Sequence, residues 1–489
     1  MRQLFVLLLS VCFSGIFIAC NPRIPAVAEP GEIELFPDYR GVTIPANIAP
    51  LNFKIVNEQY DGIIRLKTCE NEFVITADKG VINIPLKVWR MLIREAVGEQ
   101  IDVTVYYSED KNRWKRMDFP IFISSDTIDG YLTYRRIFPG YRMWNEMGIY
   151  QRNVENFVEK TIIDNRSTNN SCMNCHSFCD RQGERFLFHQ RGAHGGTYLV
   201  DHQQVTKIAL ESNGQPVSFV YPYWHPSGRY VAFSTNETHQ DFHLVDKNRI
   251  EVYDVKSDIL IYDTQLKCAY SSPLLASSSF ETYPTFTPDG KSLLFCSADS
   301  VSMPEEYKKV RYHILRIAFD PEHGALGTHV DTLYNAREMH RSAIFPRVSP
   351  DGKRLLYTVS DYGSFSIWHK DADLYMMDLQ TGTIDSLLNV NSQDVESYHS
   401  WSANSRWFVF SSRREDGLFT RPYITHVDER GKCSKPFLLP QEIPDYYGHS
   451  LFSFNIPELS STPALVTKDR LIKASREEDV MLIKGIRGL

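Results

Sequence analysis

The chain has 489 residues and a formal net charge of -7, with 53 Lys and Arg against 60 Asp and Glu. That balance, with no basic run, argues against a nucleic-acid partner, and the length allows two or three domains with ample core and no need of disulfide staples. An aromatic fraction of 12 %, with 26 Tyr and 28 Phe, suits an all-β extracytoplasmic protein.

Residues 1–19 read as an export signal: Arg2 is followed by an apolar run from Leu4 to Ile18, too short to span a bilayer. The run ends Phe17-Ile18-Ala19-Cys20, which resembles a bacterial lipobox with Phe17 in place of the usual leucine. That resemblance implies lipid on Cys20, attachment of the mature chain to a membrane through its acyl tails, and removal of the signal. Asn21 after the cysteine, by analogy with other lipoproteins, implies an outer-membrane lipoprotein of the cell envelope, on its periplasmic or surface face. Pro- and Ala-rich residues 20–32 read as a tether.

Short alternating runs follow over residues 33–128: Leu51–Val56, Ile63–Lys67, Glu72–Ala77, Val81–Pro85, Ile101–Tyr107 and Phe119–Ser124. With one helical insert at Leu86–Ala96, they predict a small β-sandwich with no catalytic constellation. Residues 129–170 predict a helical connector. After the Pro139-Gly140 turn signal, Tyr150, Val154, Phe157, Val158 and Ile162 fall at helical spacing.

The connector leads into Ser171-Cys172-Met173-Asn174-Cys175-His176-Ser177-Phe178-Cys179. Cys-x-x-Cys-His is the attachment signal for c-type haem: two thiols add to the vinyl groups along one porphyrin edge, and the histidine reaches the iron from one face. On that reading Cys172 and Cys175 carry the thioethers of a covalent haem c and His176 is the proximal ligand. An exported chain meets the compartment that such attachment needs. A Cys172–Cys175 disulfide or redox pair is the competing reading, and Cys179 adds the option of a zinc site.

From here the chain repeats. Tyr221–Ser234, Tyr283–Phe295, Phe345–Tyr357 and Tyr398–Phe410 each carry an aromatic, a Pro-Asp-Gly-type turn, a cation and an apolar strand. Turn glycines Gly228, Gly290 and Gly352 are spaced more widely than a blade of about 40–45 residues, so long loops are expected near His239–Asn248 and Ser300–Lys309. Gly183–Phe188 aligns with Gly228–Phe233, which places Cys179 opposite Trp224 and His189 opposite Ser234.

These repeats resemble the TolB-like family of β-propellers, related to WD repeats, whose signature is a Ser-Pro-Asp-Gly-Lys turn before an apolar strand. The resemblance implies a mainly β chain, with the N-terminal β-sandwich followed by a five- or six-bladed propeller over residues 171–459 and a C-terminal tail at 460–489. Tyr446–Pro457 lacks the turn and reads as a degenerate blade or a closing strand. There is no room for a peptidase domain and no Gly-x-Ser-x-Gly motif, so a hydrolase is not expected. As distal iron ligands the sequence offers His189 and His194, and as propionate partners Arg185 and Arg191.

Two functions follow. One is a membrane-tethered haem-c propeller with an electron-transfer or haem-dependent redox role and a redox or envelope protein partner. The other is a non-enzymatic scaffold binding a protein or glycan, with Cys172 and Cys175 in a disulfide.

Overall fold

A computed structural model describes residues 23–138, 146–192, 194–212, 215–217, 219–477 and 480–487; the signal stretch and Cys20 lie outside them. Near the N-terminus, Asp61–Lys67, Glu72–Thr76, Gln100–Ser108 and Lys115–Ser124 form the body of one sheet, and Leu35–Phe36, Phe53–Ile55 and Val81–Ile82 form a second. Alternation sets the faces: Met117, Phe119, Ile121 and Ile123 are buried, while Arg116, Asp118 and Phe122 between them are exposed. The predicted helix spans Leu86–Glu95 and buries Trp89, Leu92 and Ile93 on one stripe.

Six blades make the propeller, four of them four-stranded and the second and third extended to six and five strands. Blades 2 to 6 each begin with their innermost strand: Cys172–Cys179, Val220–Trp224, Phe280–Phe286, Ser342–Val348 and Glu396–Trp401. Blade 1 is composite, because Tyr131–Ile137, Met147–Asn153 and Glu159–Asp164 take their innermost strand, Ser453–Ser460, from the far end of the chain. That strand touches the inner strands of blades 2 and 6 and closes the ring. Tyr446–Pro457 therefore contributes a closing strand, not a degenerate blade. The sandwich and blade 6 share one apolar core. Asp126 is an anchor between them: its carboxylate accepts from Arg406 Nε at 3.0 Å and pairs with His426 Nε2 at 2.8 Å.

The helical connector expected over residues 129–170 is instead three strands of blade 1. Its helical spacing is broken by asparagines: Asn153 and Asn156 accept from the backbone N–H groups of Glu155 and Val158 (2.9 and 2.8 Å) and make a tight turn between strands. Val158, on the supposed apolar stripe, is 67 % exposed.

The repeat turns fall one to a blade. Gly228, Gly290 and Gly352 have φ of 68°, 70° and 73°, and Ser405 takes the same left-handed conformation at 62°. In each, the next backbone N–H returns to the side chain two residues back: Arg229 to Ser227, Lys291 to Asp289, Lys353 to Asp351, Arg406 to Asn404. Gly183 is not the equivalent turn residue. In blade 2 the left-handed positions are Asp180 and Arg181, at 47° and 57°. The hairpin is one residue longer, since Phe178 pairs with Phe186 where Trp224 pairs with Val231. Phe178, not Cys179, therefore occupies the position of Trp224, whereas His189 does match Ser234.

The expected long loops are present. Tyr230–Phe242 and Ile250–Asp263 form an extended hairpin that reaches blade 5, where Glu251 meets His369 Nε2 at 3.0 Å and accepts from Tyr362 Oη at 2.8 Å. The tail adds a helix, Lys468–Arg476, and short strands that pair in parallel with the outer edges of blades 2 and 3.

Candidate functional site: the channel and its inner ring

All six inner strands carry the same irregularity. Cys175, Tyr221, Tyr283, Phe345, Tyr398 and Ile456 have φ between 46° and 54°, each at a break in strand register. Such bulges cost free energy in non-glycine residues and turn consecutive side chains toward the channel. The next residue is Pro222, Pro284, Pro346 or Pro457 in four blades and His176 or His399 in two. Proline suits the site because its missing N–H leaves no ladder bond unmade. The Cys175-His176 pair is thus the sixth copy of a structural repeat.

The left-handed residues close the channel at mid-depth. Tyr221 and Tyr283 lie 4.3 Å apart by ring centroids, Tyr283 and Phe345 4.1 Å, and Phe345 and Tyr398 5.0 Å. Cys175 and Ile456 occupy the two remaining ring positions. The backbone N–H of Tyr221 points at the Cys175 thiol, and burial raises that thiol's pKa.

Beyond this plug, toward the ends of the inner strands, lies a cavity of about 240 Å³. Its aromatic walls include Trp224 and Trp401, fixed by indole N–H bonds to Ser177 O (3.1 Å) and Arg347 O (3.0 Å) on neighbouring inner strands. One rung below the bulge, the six blades present Ser177, Tyr223, Thr285, Arg347, Ser400 and Glu458. Only two of these six side chains are charged types. Arg347 donates from Nη1 to Thr285 Oγ1 (2.6 Å) and Pro346 O (2.9 Å) and lies over the Tyr223 ring at 5.0 Å. No carboxylate pairs with it among the described residues.

Glu458 Oε1 accepts the Phe178 N–H at 3.0 Å, and Oε2 sits 3.9 Å from His176 Nε2. Burial pushes the Glu458 carboxyl up to about 8, against the pull of the Phe178 N–H, Arg347 and Arg181. His176 is held down to about 3 by burial and by Arg135. The pair is therefore a neutral acid beside a neutral imidazole at pH 7. Both ring nitrogens of His176 are enclosed beside the backbone of Thr133 and Ile456, whereas its counterpart His399 bonds Leu356 O at 3.1 Å through Nε2.

The residues expected to hold haem do not converge. Cys172 belongs to the apolar core between blades 1 and 2, with Met147, Ile149 and Phe188. Cys175 belongs to the plug, His176 lines the cavity, and neither cysteine does. A porphyrin edge needs both sulfurs and the imidazole to open on one space. In this fold they open on three, so the residues do not fit covalent haem. The disulfide alternative is not seen either: Cys172, Cys175 and Cys179 are all free thiols.

The proposed accessory residues are equally dispersed. His189 is buried with Nδ1 at 3.0 Å from Thr197 Oγ1, and His194 Nε2 meets Asn169 at the surface. Neither lines the cavity. Arg185 packs over Trp224 and lies 3.5 Å from Asp201. Arg191 pairs in register with Cys172 on the strand behind. The sequence reading missed Arg347, His399 and Glu458. The aromatic-Pro pairs Tyr221-Pro222, Tyr283-Pro284 and Phe345-Pro346 mark the bulge in three blades, but nothing local marks the side chains that follow it round the ring.

No protein-family model matches the chain, and no curated protein matches it. Among solved structures it is similar to TolB from Acinetobacter baumannii, with a TM-score of 0.42 and 12 % identity over 77 % of this chain and 85 % of that one. A putative TolB from Agrobacterium tumefaciens gives 0.36 and 14 % over 64 % and 89 %, and a puromycin hydrolase 0.38 and 12 % over 63 % and 45 %. The assignment of a mainly β chain ending in a six-bladed propeller rests on the strand order itself.

Proposed function

We propose that this chain is a non-enzymatic binding propeller of the cell envelope, tethered through lipid on Cys20, whose ligand occupies the channel cavity beneath the aromatic plug. The observation that carries it is the cavity: fixed indoles, one cation with no carboxylate partner among the described residues and one buried acid converge there from separate blades. Concave sites with apolar walls and a few placed polar groups are the usual form of small-molecule sites. The tether is supported by the apolar run before Cys20. On this reading His176 serves the cavity, and the chain carries no covalent haem.

The test is native mass spectrometry of protein purified from its own envelope. A bound species that denaturation releases, and that Ser400→Trp at the cavity wall excludes, is the expected result. A wild-type protein without such a species, or one that keeps it in Ser400→Trp, overturns the reading.

A further inference from the structure

We propose that the channel cavity is a site for a small organic carboxylate with a flat apolar body, its carboxylate on the open edge of the Arg347 guanidinium and its body against Trp224 and Trp401. This rests on the binding-propeller reading above and goes further by naming the ligand's chemistry.

Three observations select an anion. First, Arg347 is half-buried at the cavity wall and uses only Nη1 in protein hydrogen bonds among the described residues, which leaves Nε and Nη2 free to meet a ligand. A half-buried guanidinium with no carboxylate partner among the described residues is unusual, and its two free donors have the spacing of a bidentate carboxylate bond. Second, besides the phenols of Tyr223 and Tyr398, the ionisable groups that line the cavity among the described residues are Asp180, Arg181, His176, Arg347, His399 and Glu458. With both histidines neutral and Glu458 protonated at pH 7, Arg347 is left as the net charge of the inner wall, and Asp180 and Arg181 offset each other at the rim. Third, protonated Glu458 has a hydroxyl to donate, since Oε1 is already an acceptor for Phe178. A carboxylate can use that donor; an ammonium cannot.

The size and walls select the body. About 240 Å³ holds a single-ring acid and falls short of a drug-sized ligand. The indole N–H groups of Trp224 and Trp401 are spent on backbone carbonyls, so they offer the ligand apolar surface and no donor.

The experiment is titration of the purified mature protein at pH 7, followed by tryptophan fluorescence and calorimetry. The probes are benzoate, phenylacetate and indole-3-acetate, their primary amides, benzylamine, and an acetylated dipeptide ending in a free tryptophan carboxylate. The expected result is saturable binding of the acids, with amides about ten- to a hundredfold weaker, as for loss of a charge-assisted bond, and no binding of the amine. Arg347→Gln removes the preference for acid over amide, and Arg347→Lys retains part of it. If the dipeptide alone binds, the ligand is a peptide end and the small-acid proposal is overturned. Equal binding of acids and amides, or an unchanged preference in Arg347→Gln, overturns the carboxylate assignment and leaves the binding cavity standing. If no probe of any charge binds at millimolar concentration, both fall.

Discussion

Glu458→Gln separates a buried neutral acid from a paired carboxylate. The Glu458 carboxyl is raised from 4.5 to about 8 chiefly by burial. At roughly 1.4 kcal/mol per pH unit this amounts to a ceiling of about 5 kcal/mol. Because 19 % of the side chain is exposed, water in the cavity screens part of it, and about 2–4 kcal/mol is expected. The sign follows from proton binding. Between pH 4.5 and 8 the folded chain holds a proton on Glu458 that the unfolded chain has lost, so wild-type stability falls as pH rises through that window. Glutamine does not titrate. His176 and His399, each held down to about 3, titrate in both proteins and cancel in the difference. Chemical denaturation of both proteins from pH 4 to 9.5 should show the variant gaining about 2–4 kcal/mol on wild type between pH 4.5 and 8 and holding that lead above it. A difference that stays constant across the window would mean that Glu458 is ionised in the folded protein, and the charge count of the cavity would be wrong.

Other expectations follow from the same geometry. Gly290→Ala places a Cβ 2.4 Å from His225 Nε2 at a φ of 70°, whereas Gly352→Ala at 73° meets nothing within 4 Å. Thermal melts should therefore show the first costing more than the second, which bears only the left-handed strain of about 1 kcal/mol. Phe454→Ala, in the closing strand, removes a fully buried ring that touches Tyr134 at 4.9 Å. A loss of about 3–5 kcal/mol is expected, together with faster proteolysis at the seam between blades 1 and 6. Cys20→Ala should release the mature protein from membranes; continued membrane partition would remove the lipoprotein reading.

The sandwich strands, the helix at Leu86–Glu95 and four of the blades were legible because each element announces itself locally, by alternation or by a Ser/Asp/Asn-x-x turn before an apolar strand. Blade 1 was hidden for the opposite reason. Its inner strand is some three hundred residues from the rest of it, and no local pattern encodes that pairing. The register error around Cys179 arose from anchoring blade 2 on Gly183, when the loop there is one residue longer and turns on Asp180 and Arg181. Anchored on the bulge instead, Cys175-His176 lines up with Tyr221-Pro222, Tyr398-His399 and Ile456-Pro457. Half of the haem signal is then a position that the propeller already requires. Glu458 and Arg347 could not be read from local sequence because their meaning comes from sharing one rung of a closed ring.

The most direct measurement is the intact mass and haem stain, on a denaturing gel, of wild-type protein taken from its native membrane and of protein matured with c-type haem machinery. The account predicts no covalent haem in either, and Cys172 and Cys175 both alkylated as free thiols once the chain is unfolded. A haem-positive band that Cys172→Ala or Cys175→Ala abolishes would contradict it: the inner strand of blade 2 would then open to seat a porphyrin, and His176 would belong to iron, not to the cavity.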